Sequence, residues 1–214
     1  MYLNNHSYYS LRYGTIAEEE LLILAQKAGC TSLALTDINN TSGCLNFVRK
    51  STEYGIKPIL GIDFRNGAQA CYITLARNNN GFLPLNNFLS KHLHSKTSFP
   101  DLAPYFEDAI SIYSFERVLE LDKTEFSEQE YIGVRIKDLG KLRFSRLSEY
   151  KDKLLIQHPV SCRDTRDFNT HRLLRAIDTN TLLSKLPESE QVSPDEKMVY
   201  ITALQQAYVY FPHI

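Results

Sequence analysis

Apolar runs of strand length alternate with amphipathic runs of helix length along most of this chain, and that alternation restricts it to few folds. Thr31-Ser-Leu-Ala-Leu-Thr36-Asp37, Lys57-Pro-Ile-Leu-Gly-Ile-Asp63-Phe64 and Gln69 to Arg77 are compact apolar runs leading into polar turns, the pattern of buried strands. Leu21, Leu24, Ala25 and Ala28 fall at helical spacing with Gly29 as a stop, and Thr15-Ile-Ala-Glu18 has the spacing of a capping box ahead of them. Thr41 or Ser42 opens a second helix through Leu45 and Val48 toward Tyr54-Gly55, and Asn78-Asn-Asn-Gly81 leads into a third through Phe88 and Leu89. Strand and helix in turn at this spacing predict a parallel α/β architecture.

The pattern lapses around Pro100 and Pro104, then resumes. Asp108 to Tyr113, Tyr131 to Ile136 and Lys153 to His158 read as strands, and Phe115 to Leu121 and Asp167 to Asn180 as helices. Ser193-Pro-Asp-Glu196 is a second capping box, predicting a helical tail from about 193 toward Tyr210. With Tyr2 to Asn5 as the opening strand, the count is about seven, which suits a distorted β/α barrel better than a small open sheet. In such a barrel the working residues stand at the carboxyl ends of the strands. That directs attention to Asn4 and His6, Asp37 and Ile38, Asp63, Cys71, and His158 to Ser161.

A chain of 214 residues can bury one substantial core, so residues 1–214 are read as a single domain. Lys+Arg 24 against Asp+Glu 25 leaves no net field; this argues against affinity built on phosphate neutralisation alone, while a local basic patch stays open. Cys30, Cys44, Cys71 and Cys162 form no Cys-x-x-Cys pair and no signal peptide precedes them, which predicts reduced thiols and a cytoplasmic location. The apolar runs are too short to span a membrane.

Four ordered pieces carry a family likeness: Asn4-Asn-His6-Ser7-x-Tyr9-Ser10-Leu11 with Gly14; Leu33-Ala-Leu-Thr-Asp37 with Asn39 and Gly43; Gly55-Ile-Lys-Pro-Ile-Leu-Gly61-Ile-Asp63; and Ile73-Thr-Leu-Ala-Arg-Asn78 with Gly81 and Leu85. Together they resemble the amino-terminal PHP (polymerase and histidinol phosphatase) domain of bacterial DNA polymerase III alpha subunits. The likeness is dense over about the first 90 residues and thin beyond, at His158-Pro-Val-Ser161 and His171 to Ile177. It implies a PHP-type barrel, like that of metal-dependent phosphatases, and a parent chain that is a DNA-directed DNA polymerase.

Metal-binding members of that family cluster two or three divalent ions on His, Asp and Glu ligands. Carried over position by position, the resemblance places Asn4 at the first His of a His-x-His pair and leaves His6 as the second. Tyr13 falls on the Asp or His before the turn glycine, and Ile38 on the His after Thr-Asp. Asp63 replaces a glutamate, Cys71 a histidine, and Pro159 and Ser161 the late Asp-x-His pair. Asn offers a neutral amide, Ile38 offers nothing, and a tyrosine is not an anion at neutral pH. A multinuclear centre needs several anionic or imidazole ligands, so the resemblance implies a vestigial pocket of His6, Asp37 and Asp63 with neither a metal nor another cofactor. Mg²⁺ would act at the parent's polymerase site, elsewhere.

Each residue also has an ordinary reading: a hydrogen-bonded histidine for His6, a paired carboxylate for Asp63, a turn cap for Asp37 and a small buried hydrophobe for Cys71. His92 and His94 follow a helix and read as solvated surface. The expected function is therefore a structural or partner-docking module. Its partners would be the remainder of the polymerase chain, DNA through that chain, and a proofreading or clamp-type accessory subunit. The competing expectation is a metal-dependent 3′–5′ exonuclease or phosphoesterase using weak Zn²⁺ or Mn²⁺ at a reduced site, and a free-standing PHP phosphatase is a third. The ending Tyr210-Phe-Pro-His-Ile214 suggests a fragment of a longer chain.

Overall fold

The computed structural model describes residues 1–211, so part of the Tyr210 to Ile214 ending lies outside the described residues. Strands β1 (Ser32–Leu35), β2 (Lys57–Asn66), β3 (Gln69–Ala76), β4 (Ala109–Ser114), β5 (Glu130–Val134) and β6 (Leu154–Ile156) form one curled sheet, a half-barrel, in sequence order. The helices are α1 (Glu18–Lys27), α2 (Cys44–Ser51), α3 (Asn79–Ser95), α4 (Phe115–Glu120), α5 (Leu139–Leu142), α6 (Thr165–Asp178) and α7 (Ile201–Ala207).

Side-chain alternation along the strands divides the interior in two. Leu33 and Leu35 of β1 and Ile62 and Phe64 of β2 join Leu21, Leu22 and Phe47 in the larger core beneath the helices. Ala34, Ile73, Leu75 and Ile112 make a smaller cluster. On β2 the residues that alternate with Ile62 and Phe64 are Asp63 and Arg65, and this places them together on the concave side.

Five features depart from the sequence expectations. The sheet is mixed: β2–β3 and β3–β4 pair antiparallel, while β1–β2, β4–β5 and β5–β6 pair parallel. Only Gly67 and Ala68 separate β2 from β3, too few residues for a parallel crossover, and Gly67 takes the turn at φ +62°.

The seventh strand is not formed. Tyr2 to Asn5 instead makes single parallel bridges, Tyr2 to Leu33 on one side and Asn5 to Val160 on the other. The Asn5 side-chain amide donates to the carbonyls of Tyr2 and Ala34, and its backbone N–H goes to Thr36 Oγ1, so side-chain bonds interrupt the ladder. Even so, Thr36 N–H donates to Asn5 O and His6 N–H to Val160 O, and the segment lies between the two ends of the sheet.

The tail is helical only over α7. Ser193 Oγ accepts from Asp195 N–H at 3.4 Å, and the Glu196 carboxylate is drawn to Ser161 and Arg135 instead of capping a helix. At the other end, α1 starts at Glu18 with Ala17 before it. Glu20 accepts from Ala17 N–H, while Thr15 donates to Ser161 O. The third helix also outruns its predicted end near Leu89: α3 continues to Ser95 and carries His92 and His94, with His92 against Phe88 and Phe99.

Candidate functional site

Three segments meet at the mouth of the half-barrel: the loop after Tyr2–Asn5, the ends of β1 and β2, and the stretch after β6. His6 is wholly buried there. Its Nε2 lies 3.0 Å from Asp63 Oδ2 and its Nδ1 2.9 Å from Ser161 Oγ. Ser161 donates in turn to Glu196 Oε2 at 2.8 Å, and Glu196 Oε1 accepts from Arg135 Nη1 at 3.2 Å. A single line of polar contacts therefore runs from Asp63 through His6 and Ser161 to Glu196 and Arg135.

Arg65 closes the other end of that line. Its Nη2 and Nε donate to the same Asp63 Oδ2 at 2.6 and 3.0 Å. The guanidinium carbon sits 4.8 Å from the Tyr13 ring centroid, a cation–π distance. Tyr13 meets His6 edge-on at 5.4 Å and His171 at 4.6 Å. Burial pushes the Asp63 carboxyl up, but the charge of Arg65 and the His6 contact outweigh it and hold the group at about 2. Burial likewise opposes the charge on Arg65, and Asp63 reverses that and raises it. Burial raises the Tyr13 hydroxyl, so it is neutral at physiological pH.

Asp37 anchors the first loop. One oxygen accepts from Ser7 N–H and Ser10 Oγ and the other from Ser7 Oγ, each at 2.7 Å. The turn it holds is thus the preceding Ser7–Ser10 turn and not the one that follows β1. Burial raises its carboxyl despite those three bonds. Gly14 is required by the same loop, since a Cβ there would stand 1.8 Å from Ser7 O.

The remaining expected positions have other neighbours. Asn4 Oδ1 accepts from Thr36 Oγ1 at 3.2 Å. Ile38 bridges to Asp63 by backbone, and its N–H donates to Ser10 Oγ. Cys71 is at the mouth end of β3, where Asn66 Nδ2 lies 3.4 Å from its sulfur, and burial raises its thiol. Pro159 is buried beside Val160. His158 turns away, with Nε2 2.8 Å from Lys197 O and its ring against Tyr2. All four cysteines are free and buried.

Sequence reasoning missed Arg65, Glu196 and His171. Arg65 was within reach, since Asp63 and Arg65 stand two apart on a strand and so share a face. Glu196 had no local signal, because its capping spacing pointed elsewhere. His171 is fixed by two backbone groups: Nδ1 lies 2.8 Å from Tyr13 O, and Nε2 accepts from Val192 N–H at 3.1 Å. Burial lowers its basicity and keeps the ring neutral.

Above this layer a cleft of about 350 Å³ is lined by Tyr13, Arg65, Lys137, Arg175 and Glu190 among others. Below it a cavity of about 140 Å³ is bordered by Asn4, Asp63, Cys71 and Gln157. Asp63 Oδ1 and Gln157 Oε1 are buried without a hydrogen-bond partner. Among the described residues, no three His, Cys, Asp or Glu side chains are grouped so as to hold a metal ion, and no helix is long and apolar enough to cross a membrane.

Comparison with known proteins agrees with the resemblance. The chain is 33% identical over 110 residues, 51% of its length, to DNA polymerase III subunit alpha of Ureaplasma parvum, of which it spans 11%. It is 35% identical over 97 residues, 42% of its length, to the same subunit of Escherichia coli K12, spanning 8%. To the error-prone DNA polymerase of Symbiobacterium thermophilum it is 34% identical over 90 residues, again 42% of its length and 8% of the relative. The chain thus spans about a tenth of the length of these relatives. Among solved structures, one described as a metal-dependent phosphoesterase from Bifidobacterium adolescentis overlaps 42% of this chain and 31% of its own, at 19% identity and a TM-score of 0.33. That score is too low to bear on the site. The sequence profile of the PHP domain covers residues 3–155, every strand from β1 to β5 and part of β6, and the chain belongs to the PHP domain family.

Proposed function

We propose that this chain is the PHP module of a DNA polymerase III alpha-type polymerase, with a degenerate metal site, acting in the cytoplasm as a structural and partner-docking element. The carrying observation is Arg65, whose guanidinium is bonded to the same Asp63 carboxylate oxygen that contacts His6. A divalent ion about 4 Å from that guanidinium meets a repulsion of roughly 8 kcal/mol at an effective dielectric of 20, before the attraction of Asp63 is counted. His6 has both ring nitrogens engaged, Asn4 is neutral and Ile38 has no donor atom. This donor set does not fit a two- or three-metal centre. Fixed protein charge supplies the compensation that a metal would otherwise bring.

On this reading polymerisation, with its Mg²⁺, belongs to other parts of the parent chain, through which the module reaches DNA, and a proofreading or clamp-type subunit docks on the module. Metal analysis of the dialysed protein tests the core of it. Zinc, manganese and iron each well below one equivalent are expected, and one retained equivalent overturns the reading. A second reading, a metal-dependent 3′–5′ exonuclease or phosphoesterase with weak Zn²⁺ or Mn²⁺, draws on the unpartnered Asp63 Oδ1 and Gln157 Oε1. It requires hydrolysis of single-stranded DNA ends that chelator and His6→Ala both abolish.

A further inference from the structure

The connection between β5 and β6 begins with a run of exposed cations. From Ile136 to Leu147 it holds four cations, Lys137, Lys141, Arg143 and Arg146, and one acid, Asp138. Asp138 is buried and its carboxylate accepts from Arg135 N–H, so the exposed charge of the stretch is wholly positive. Lys137 pairs with Glu116 and Arg146 with Asp122 across solvent-exposed surface, where such pairs are weak and readily exchanged. Lys141 and Arg143 have no ion pair among the described residues.

Phe144 stands in the middle of these cations and is 88% exposed. Its own neighbours Leu142 and Leu147 are buried, so the aromatic ring is the outward member of an otherwise inward apolar set. One turn earlier Gly140 has no atom within 4 Å of where a Cβ would be, which leaves the space beside α5 open. An exposed ring, bare glycine one turn before it, and flanking cations of which Lys141 and Arg143 have no ion pair among the described residues suit a stacked base with its phosphates. They suit an apolar protein face poorly, because the ring is flanked along the chain by the exposed cations Lys141, Arg143 and Arg146. Lys137 also lines the mouth cleft.

We propose that Lys137 to Arg146 is a single-stranded nucleic-acid contact, in which Phe144 stacks on one base and Lys141 and Arg143 neutralise the flanking phosphates. It stands independently of the polymerase reading above, since the partner is identified by charge and stacking alone.

The test is fluorescence anisotropy of the 214-residue chain with a labelled oligothymidylate of about twelve nucleotides, a length within the range of single-strand sites. Phe144→Ala is expected to weaken binding about fivefold or more. Lys141→Gln with Arg143→Gln is expected to flatten the slope of log affinity against log salt by about 1.4. Melting temperatures should stay unchanged, because all three side chains are exposed. Lys91→Gln with Lys96→Gln, on and just after α3, serves as the control and should leave affinity within twofold. Absence of binding, equal loss in the control, or indifference to Phe144→Ala overturns the proposal. So does displacement by polyglutamate as effective as by unlabelled oligothymidylate, which would identify an acidic polypeptide as the partner.

Discussion

Arg65 lies against Asp63, two residues back on the same strand, and both of its contacting nitrogens share one carboxylate oxygen with His6. Neither charge has an easy alternative, since Asp63 is buried and the Arg65 side chain is nearly so. Arg65→Met should therefore cost about 3–5 kcal/mol, the usual result of leaving one half of a buried pair uncompensated. Combining it with Asp63→Asn should cost clearly less than the sum of the two single changes, because the double variant buries no lone charge. Urea titration of the four proteins measures both numbers.

Acid should uncouple the same pair. Asp63 is held at about 2, below its ordinary 3.8. The stability this confers is complete above the unfolded value and drains away as pH falls from about 4 toward 2. Urea midpoints across that window should drop less steeply in Asp63→Asn than in the wild type.

The neutral state of His171 gives a second pH dependence of separate origin. Its folded affinity for a proton lies below the ordinary 6.5, chiefly through burial. The unfolded chain therefore takes up that proton first as pH drops. Stability should fall by up to roughly 1.4 kcal/mol per pH unit below 6.5 until the folded ring also titrates, and His171→Leu should lose this slope. Nitrogen-15 chemical shifts should place the proton on Nδ1, the nitrogen facing Tyr13 O; a proton on Nε2 would contradict the Val192 contact.

Gly14→Ala should be among the most disruptive single-methyl changes in the chain. Its Cβ would overlap the Ser7 carbonyl at 1.8 Å, and Asp37 fixes that turn by three bonds, so the loop cannot shift freely. A loss of about 3 kcal/mol or more is expected, at the upper end of overpacking costs. Thermal denaturation next to Gly55→Ala, where a Cβ meets no atom within 4 Å, separates this overlap from glycine backbone strain.

Strand order and most helices were legible because runs such as Leu33 to Leu35 and Ile62 to Phe64 carry their periodicity locally. What the sequence hid was long-range. Ser193 to Glu196 has the spacing of a helix start, yet the pull on Glu196 comes from Ser161, 35 residues away. The general expectation of parallel strands passes over the short gap after Phe64, where no helix-length run precedes Gln69 and the chain makes a hairpin. In the site, His6 and Asp63 were visible as types and positions. The resemblance drew attention to the ligands that were replaced, and so away from Arg65, the cation beside them.

The pairing of Asn5 with both Thr36 and Val160 also bears on how the protein is made. On the ribosome the opening residues emerge first, yet one of their two flanks is not synthesised until residue 160. Until then the opening segment, paired with β1 on one flank, exposes unsatisfied peptide groups on the other, the sort of edge that invites association with other chains. The half-barrel is finished by its oldest residues meeting some of its youngest, so its completion is a late, long-range event. Shortening the amino terminus by six residues should leave the separate helices largely formed and remove the step that makes the whole cooperative.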